Sequence, residues 1–290
     1  MQQFAYLAQR MFNRPLAIHR DKAEVVISAL AERLNITRMV NLDGMAIEPM
    51  AFSLDGDGHQ YRDRDAGYDL VGPVAVIPVQ GTLVQKLGTL RPYSGMTGYD
   101  GIRQAFLSAL ADPDVEGIML DIDSPGGEVS GCFDLVDAIY EQRGKKPVHA
   151  ILSDGAYSAA YAIASAADRI AVPRTGGVGS IGVICMHVDF SKALTSAGVQ
   201  VTFITYGDRK ADGHSEIPLS KEALERFQAD IDTMGELFVG TVARNRGMAA
   251  DKVRGTQAVT FMGDKGVAVG LADVVAAPDA AFRALLAELA

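Results

Sequence analysis

Short apolar runs alternate with segments of helical periodicity along most of this chain, and no other feature of the sequence limits its fold as much. The apolar runs predict strands at residues 74–79, 115–122, 147–152, 169–172, 183–188 and 199–205. Helical spacing predicts helices at residues 99–111, 129–143, 158–168, 191–197, 220–247 and 280–289. Such alternation is typical of an α/β domain with a mostly parallel sheet.

The pattern is different ahead of that domain, which we place at residues 71–290. Residues 1–52 are predicted to be an N-terminal helical region whose role the sequence does not assign. Its apolar face consists of Ala23, Val26, Ile27, Leu30 and Leu34. Residues 53–70 are polar and contain glycine, which indicates a linker or mobile loop. The aspartates of this stretch do not make an EF-hand calcium loop, because Ala66 stands where that loop needs a bidentate glutamate.

Charge and cysteine content exclude several classes of protein. The 27 basic and 36 acidic residues give a net charge of −9, which argues against a nucleic-acid binder. The two cysteines, Cys132 and Cys185, are too few for a disulfide framework and favour a reducing compartment. No apolar run is long enough to span a membrane, and the N-terminus lacks the pattern of a signal peptide. We therefore expect a cytoplasmic protein without a membrane partner.

The common cofactor and metal motifs are absent or fail in context. The five histidines are scattered without metal-ligand spacing, so we predict no metal site. Residues 177–182 (GVGSIG) match the dinucleotide pattern G-x-G-x-x-G, but an apolar run follows where that motif needs a helix. This segment is predicted to be a tight turn between two strands, and we expect no cofactor.

Two other segments have features of a nucleophilic site. Residues 123–127 (DSPGG) follow a predicted strand, and their backbone N–H groups are free of bulky side chains, which suits an oxyanion. Ser158 begins an alanine-rich predicted helix. Taken alone, the first segment is also consistent with an ordinary βα loop, and the Ser158 hydroxyl with a simple helix N-cap.

A serine nucleophile needs a base, and the histidines offer none at a clear position. A lysine can take this role where burial lowers its pKa from about 10.4 to roughly 7–8. Lys210 follows a predicted strand in a loop with glycine on both sides. Its neighbours Asp208, Arg209 and Asp212 are equally typical of a solvated turn, so the residues alone leave its role open.

Six blocks taken together resemble the signal peptide peptidase A family of serine proteases, and in particular its phage head-maturation (capsid assembly) subgroup. The blocks are residues 91–99 (RPYSGMTGY), 121–127 (DIDSPGG), Ser158 with its helix, 175–183 (TGGVGSIGV), 207–210 (GDRK) and 270–273 (GLAD). They follow the family's order over about two thirds of the chain. The block at residues 91–99 is the one that indicates the phage subgroup.

The resemblance implies a Ser–Lys dyad with Ser158 as nucleophile and Lys210 as general base. It also implies that Ser180 orients the lysine and that the backbone N–H groups of Gly127 and Ala159 form the oxyanion hole. The implied fold is crotonase-like, built from repeated ββα units, and the implied assembly is a homo-oligomeric ring. Many relatives have two glycines after the nucleophile, where this chain has two alanines.

The function implied is a serine endopeptidase that processes capsid, scaffold or portal proteins during phage head assembly, in the host cytoplasm or the procapsid. One alternative is a membrane-free housekeeping peptidase of the same family. Another is a catalytically silent scaffold module of the same fold, which predicts that Lys210 is exposed or points away from Ser158. A crotonase-type acyl-CoA enzyme is a third alternative, which the oxyanion turn permits.

Overall fold

The computed structural model describes residues 15–19 and 66–290. Nearly all of the predicted N-terminal helical region therefore lies outside the described residues, as does most of the predicted linker. The last residues of that linker segment are described, and there Tyr68 is buried and donates a hydrogen bond to the Asp112 carboxylate at 2.6 Å. The first strand of the domain then begins at Asp69.

A single sheet of eleven described strands forms the centre of the fold. Its long strands β3, β5, β6 and β7 run parallel, with β5 between β3 and β6. The strands are β1 (Pro15–Ile18), β2 (Asp69–Val71), β3 (Val74–Val84), β4 (Met96–Gly98), β5 (Gly117–Glu128), β6 (Val148–Tyr157), β7 (Arg169–Val172), β8 (Gly177–Gly179), β9 (Ile184–Cys185), β10 (Thr260–Met262) and β11 (Val274–Val275). Antiparallel pairs at the margins, such as β2 with β3 and β8 with β10, make the sheet mixed.

Helices cover both faces of this sheet, because its central strands are apolar on both sides. The helices are α1 (Tyr99–Ala111), α2 (Cys132–Tyr140), α3 (Ala159–Ser165), α4 (Ser191–Ser196), α5 (Lys221–Arg246), α6 (Ala250–Arg254), α7 (Asp264–Ala268) and α8 (Pro278–Glu288). On one face α1, α2, α3 and the end of α5 enclose the main core. On the other face α8 packs its Ala281 and Leu285 against Met119 and Ile151 of the sheet.

Helix α3 lies at the centre of the main core, and all seven of its residues are buried. Five of them are Ala or Ser, so the helix backbone can approach its neighbours closely. It contacts β5, β6, α2 and α5. The alanine-rich sequence after Ser158 is therefore explained by packing, and this packing fixes the end of β6 relative to β5.

Helix α5 begins and ends at the residues that the sequence predicted. The Ser220 side chain accepts a hydrogen bond from the Ala223 N–H at 3.1 Å, and Gly247 ends the helix in the left-handed conformation. Phe238 and Val242 near its end are buried against the core, whereas its first half is largely exposed. Neither this helix nor any other within the described residues combines the length and the apolar character that crossing a membrane requires.

Two predictions from the sequence are wrong in detail. Residues 199–205 form no strand, although their run of Val, Thr, Phe and Ile favours one. The run has no strand partner among the described residues, and Ile204 is 96% exposed. Residues 123–127 are not a turn after a strand, because β5 continues through them to Glu128.

The segment 270–273 anchors the last part of the chain to the sheet. The Asp273 carboxylate accepts hydrogen bonds from both terminal nitrogens of Arg246, at 2.6 and 3.0 Å, and from the Ile170 N–H at 2.7 Å. Burial alone raises the pKa of Asp273, but these donors outweigh burial and lower it. Residues 270–273, one of the six blocks on which the family resemblance rests, therefore connect α5, β7 and β11.

Candidate active site

The end of β5 is shaped by two glycines that no other residue can replace without a shift. A Cβ on Gly127 would lie 1.8 Å from the Leu83 carbonyl oxygen, because β3 passes directly beside it. Gly126 adopts φ +97°, in the region that favours glycine. The Ser124 hydroxyl holds the segment by donating to the Gly81 carbonyl oxygen at 2.7 Å. The backbone N–H groups of this strand end are thus fixed in place.

Ser158 occupies a strained turn between β6 and α3. Its backbone has φ 54° and ψ −120°, a conformation that costs a non-glycine residue about 1–3 kcal/mol. The side chain is 1% exposed and makes no capping hydrogen bond to the helix, so the simple N-cap alternative is not what its hydroxyl does. The hydroxyl instead lies 3.4 Å from the Gly182 carbonyl oxygen. Strain of this kind at a serine on a strand-to-helix turn is typical of a nucleophile.

The segment 177–182 is folded against Ser158. The Ser158 N–H donates to the Gly179 carbonyl oxygen at 2.9 Å, so the next residue, Ser180, lies beside the turn of the nucleophile. Ser180 also has a positive φ, 54°, is buried, and donates its N–H to Val259 at 3.2 Å. The dinucleotide pattern is thus a short strand and a turn, as predicted, and no helix opens on it.

The two segments that carry the backbone groups predicted to form an oxyanion hole contact each other. A Cβ built on Gly126 would lie 3.0 Å from the backbone nitrogen of Ala159 and 2.9 Å from the Tyr157 carbonyl oxygen. The end of β5 therefore contacts the residues on either side of Ser158. Gly127 follows Gly126 in the chain, so its backbone lies close to the same turn. Backbone N–H donors near a serine suit the tetrahedral intermediate of acyl transfer, and the role of Gly127 and Ala159 as its donors stays a prediction.

Lys210 does not share this buried environment in the single chain. It lies in a turn closed by its own N–H, which donates to the Gly207 carbonyl oxygen at 3.1 Å, and its side chain is exposed. Asp212, one of the acids near it in sequence, pairs with Arg226. Exposure of Lys210 is what the silent-scaffold alternative predicts, and the role of Lys210 stays a prediction.

A cavity of about 580 Å³ opens beside the two serines. Ser180 and Gly182 line one side of it, and the backbone around Val259 lines another. Gln257 and Ala258 have positive φ values there, 47° and 59°. This wall could not be predicted from the sequence, because the run Gln257-Ala258-Val259 matches no motif. The cavity borders Ser180 and Gly182, the residue whose carbonyl oxygen lies near the Ser158 hydroxyl, and it is large enough to admit a further side chain.

Sequence reasoning also missed strand β1. Its residues Pro15–Ile18 pair with the end of β5 and with β9, directly at the site. Four residues are too few for a periodic pattern. Within the described part of the chain, no group of three or more His, Cys, Asp and Glu side chains is arranged to bind a metal.

Comparison with known proteins identifies relatives of this chain. The model of the family described as Peptidase family S49 matches residues 140–290. The head-tail preconnector protein GP5 of Enterobacteria phage P21 is 40% identical over 278 residues, which are 93% of this chain and 54% of that protein. The capsid assembly protease C of Escherichia phage lambda is 38% identical over 275 residues, 92% of this chain and 62% of that protein.

A more distant relative is a chloroplastic serine protease, SPPA of Arabidopsis thaliana. It is 27% identical over 204 residues, which are 70% of this chain and 30% of that protein. The chain thus spans little more than half the length of the two phage relatives that it matches.

Proposed function

Because this chain belongs to peptidase family S49, we propose that it is a serine endopeptidase with Ser158 as its nucleophile and Lys210 as its general base. The observation that carries this proposal is the turn at Ser158. A strained, buried serine lies beside the backbone N–H groups of Ala159 and Gly127, and its hydroxyl is not used for capping. Strain of this kind is kept where a function requires it.

In the proposed reaction, the Ser158 oxygen attacks a peptide carbonyl carbon while Lys210 accepts the hydroxyl proton. The N–H groups of Gly127 and Ala159 stabilise the oxyanion that forms. The protonated lysine then gives its proton to the leaving amine, and water hydrolyses the acyl-enzyme. Ser180, buried next to this turn, orients the lysine.

Lys210 must leave solvent to act as this base, since a lysine base needs a dry environment. We propose that a second copy of the chain encloses it. Support comes from apolar side chains exposed in the same region: Ile204 is 96% exposed, Tyr206 is fully exposed, and Val199 is about half exposed. A neighbouring copy packed on the surface formed by these three side chains would bury them. The cavity beside Ser180 has room for the side chain of Lys210. This fits the homo-oligomeric ring implied by the resemblance.

The fold proposed is the crotonase-like arrangement of repeated ββα units. Its support is the repeated alternation of strands and helices: β3 and β4 lead into α1 as a ββα unit, and β5 leads into α2 and β6 into α3 as shorter βα units. The substrates proposed are capsid, scaffold or portal proteins, and the place is the procapsid or host cytoplasm. Here the support is the similarity to the two phage proteins, which are a head-tail preconnector protein and a capsid assembly protease.

The experiment is co-expression of this protein with the capsid, scaffold and portal proteins of its phage, followed by mass analysis of the products. The wild type is expected to cut at least one of them. Ser158→Ala is expected to lose at least about a thousandfold in rate, and Lys210→Ala about a hundred- to ten-thousandfold. Ser108→Ala and Lys145→Ala, which lie in α1 and after α2, are the matched controls and keep full activity.

The outcomes separate the candidate functions. Cleavage that survives in Ser158→Ala refutes the nucleophile. Absence of cleavage by wild type, with Lys210 still exposed in the assembled protein, favours the silent scaffold. Cleavage of unrelated peptides but of no phage protein favours the housekeeping peptidase.

A further inference from the structure

Strand β1 lies in the active site as an extended peptide held on both edges. On one side it is antiparallel to the end of β5, with Leu16 opposite Glu128, Ala17 opposite Gly127 and Ile18 opposite Gly126. On its other side Pro15 and Leu16 pair with Cys185 and Ile184 of β9. Addition of a strand to a sheet edge is a common way for proteins to bind peptides. Here the strand fills a gap between two strands, so both of its backbone edges are used.

The register places one carbonyl of β1 at the oxyanion donors. The His19 N–H donates to the Pro125 carbonyl oxygen at 2.7 Å, and in an antiparallel ladder the hydrogen-bonded pairs recur at every second residue. Ala17 and Gly127 are the next such pair, which sets the Ala17 carbonyl opposite the Gly127 N–H. A Cβ built on Gly126 would lie 2.2 Å from that carbonyl oxygen and 3.0 Å from the Ala159 nitrogen. The Ala17 carbonyl is thus next to both donors.

We propose that β1 is bound as a substrate and that the Ala17–Ile18 peptide bond is cut by the enzyme itself. This inference rests on the proposed protease function and names its first substrate. Ala17 is fully buried, and Leu16 and Ile18 are nearly so. The position that holds Ala17 therefore accepts only a small side chain. The strands β5 and β9 bind the backbone of the segment through their pairing with it.

The atoms needed for this step are accounted for once a second copy encloses Lys210, as proposed above. The Ser158 oxygen bonds to the Ala17 carbonyl carbon, and its proton passes to Lys210. The carbon–nitrogen bond to Ile18 then breaks, and the proton goes to the Ile18 nitrogen, which becomes the new N-terminal amine. Water hydrolyses the ester, giving a carboxylate on Ala17 and restoring the Ser158 hydroxyl.

The site has open space on the side of Ile18, whose nitrogen is the leaving group of the proposed cleavage. Ile18 and His19 line the cavity that Ser180, Gly182 and Ile184 also line. The His19 ring contacts the Tyr157 ring in a tilted arrangement, with ring centroids 5.0 Å apart, so the residue after Ile18 is also held at the site. The cavity gives both the new amine and the hydrolytic water a way into the site.

The test is intact-mass analysis and N-terminal sequencing of the assembled full chain after incubation. Wild type is expected to lose residues 1–17 and to begin at Ile18, while Ser158→Ala stays intact. Ala17→Phe is expected to slow the cut at least tenfold, because a phenyl ring does not fit the buried position of a methyl group. Ala280→Phe, at an exposed alanine of α8, is the matched control and is cut at the wild-type rate.

A second measurement covers the case in which Ala17→Phe disturbs folding. A synthetic peptide of residues 11–24, added to the wild-type chain, is expected to be cut at the same bond. Casein, added to every sample, reports general protease activity. A wild-type chain that degrades casein but keeps residues 1–17 and leaves the peptide intact overturns the self-cleavage alone. A chain that cuts neither casein nor itself overturns the proposed function, and self-cleavage with it.

Discussion

The backbone N–H of Ser158 donates a hydrogen bond to the carbonyl oxygen of Gly179 at 2.9 Å. This contact holds two residues with positive φ, Ser158 and Ser180, next to each other. Both conformations are unfavourable for a side chain, and the surrounding core maintains them. The two strained conformations therefore lower the free energy of unfolding, and a substitution that relieves the strain should raise it.

Ser158→Gly is expected to raise the free energy of unfolding by about 1 kcal/mol, because glycine adopts this backbone conformation without strain. Urea denaturation measures the change. The same substitution at Ser108, within helix α1, is expected to lower the free energy by a few tenths of a kcal/mol to about 1 kcal/mol. If the two variants lose stability alike, Ser158 is not strained.

Gly127→Ala is expected to lose both stability and activity, because its Cβ would meet the Leu83 carbonyl oxygen at 1.8 Å and force β3 and β5 apart. A loss of about 1–3 kcal/mol is typical of overpacking. Gly240→Ala is the control, since nothing lies within 4 Å of a Cβ there and the residue is in helix α5. That variant gains up to about 1 kcal/mol. Thermal unfolding and peptide hydrolysis of both proteins are the measurements.

The exposed apolar surface at Ile204 and Tyr206 is expected to be a contact between copies of the chain. Replacing both residues with aspartate should lower the mass of the assembly measured by light scattering and abolish hydrolysis, since Lys210 would then stay in solvent. The control is Leu224→Asp, which changes an exposed apolar residue near the start of α5, away from this surface in sequence. An unchanged mass in the double variant would show that assembly uses another surface.

Stability is expected to fall in mild acid because of His149. Burial lowers the pKa of this histidine, the nearby Arg169 adds to that effect, and Glu288 and Asp168 oppose it. The unfolded chain therefore binds a proton at a higher pH than the folded chain does. The contribution of His149 is complete above about pH 6.5 and declines as the pH falls below that value.

His149→Gln removes this titration and keeps a donor for Glu288, whose carboxylate lies 3.1 Å from the histidine. Urea midpoints at pH 7.5, 6.5 and 5.5 are expected to fall more steeply for wild type than for the variant. Parallel curves would assign the acid sensitivity to other groups.

Local signals in the sequence predicted the helices well. Helix α1 has the predicted bounds, and α5 lies between the predicted caps Ser220 and Gly247. These boundaries depend on neighbours in sequence, such as the Asp112-Pro113 pair that follows α1. Strands depend on partners that the sequence does not name. Residues 199–205 have strand-forming side chains and no pairing strand in the described part of the chain, whereas the four residues of β1 pair on both edges.

The end of β5 shows the same limit. The Pro-Gly-Gly sequence indicates a turn, but β3 continues beside it through an irregularity between Gln80 and Thr82, and the strand goes on. For the site, the structure places the turn at Ser158 beside Gly179 and Ser180 and beside the end of β5, whereas the roles that the resemblance implies for Ser158, Ser180, Gly127 and Ala159 stay predictions. The place of Lys210 depends on what packs against its loop, so its role stays a prediction.

Strand β1 belongs to the same chain as the groove that it fills, so dilution does not weaken its binding. A tethered segment of this kind acts as a competitor at an effective concentration on the order of millimolar. A free substrate at micromolar concentration gains access only rarely while that segment is in place. Under the proposed self-cleavage, the covalent link between occupant and groove sets an order of events, in which release of the chain's own N-terminal segment is expected before the first cut in another protein.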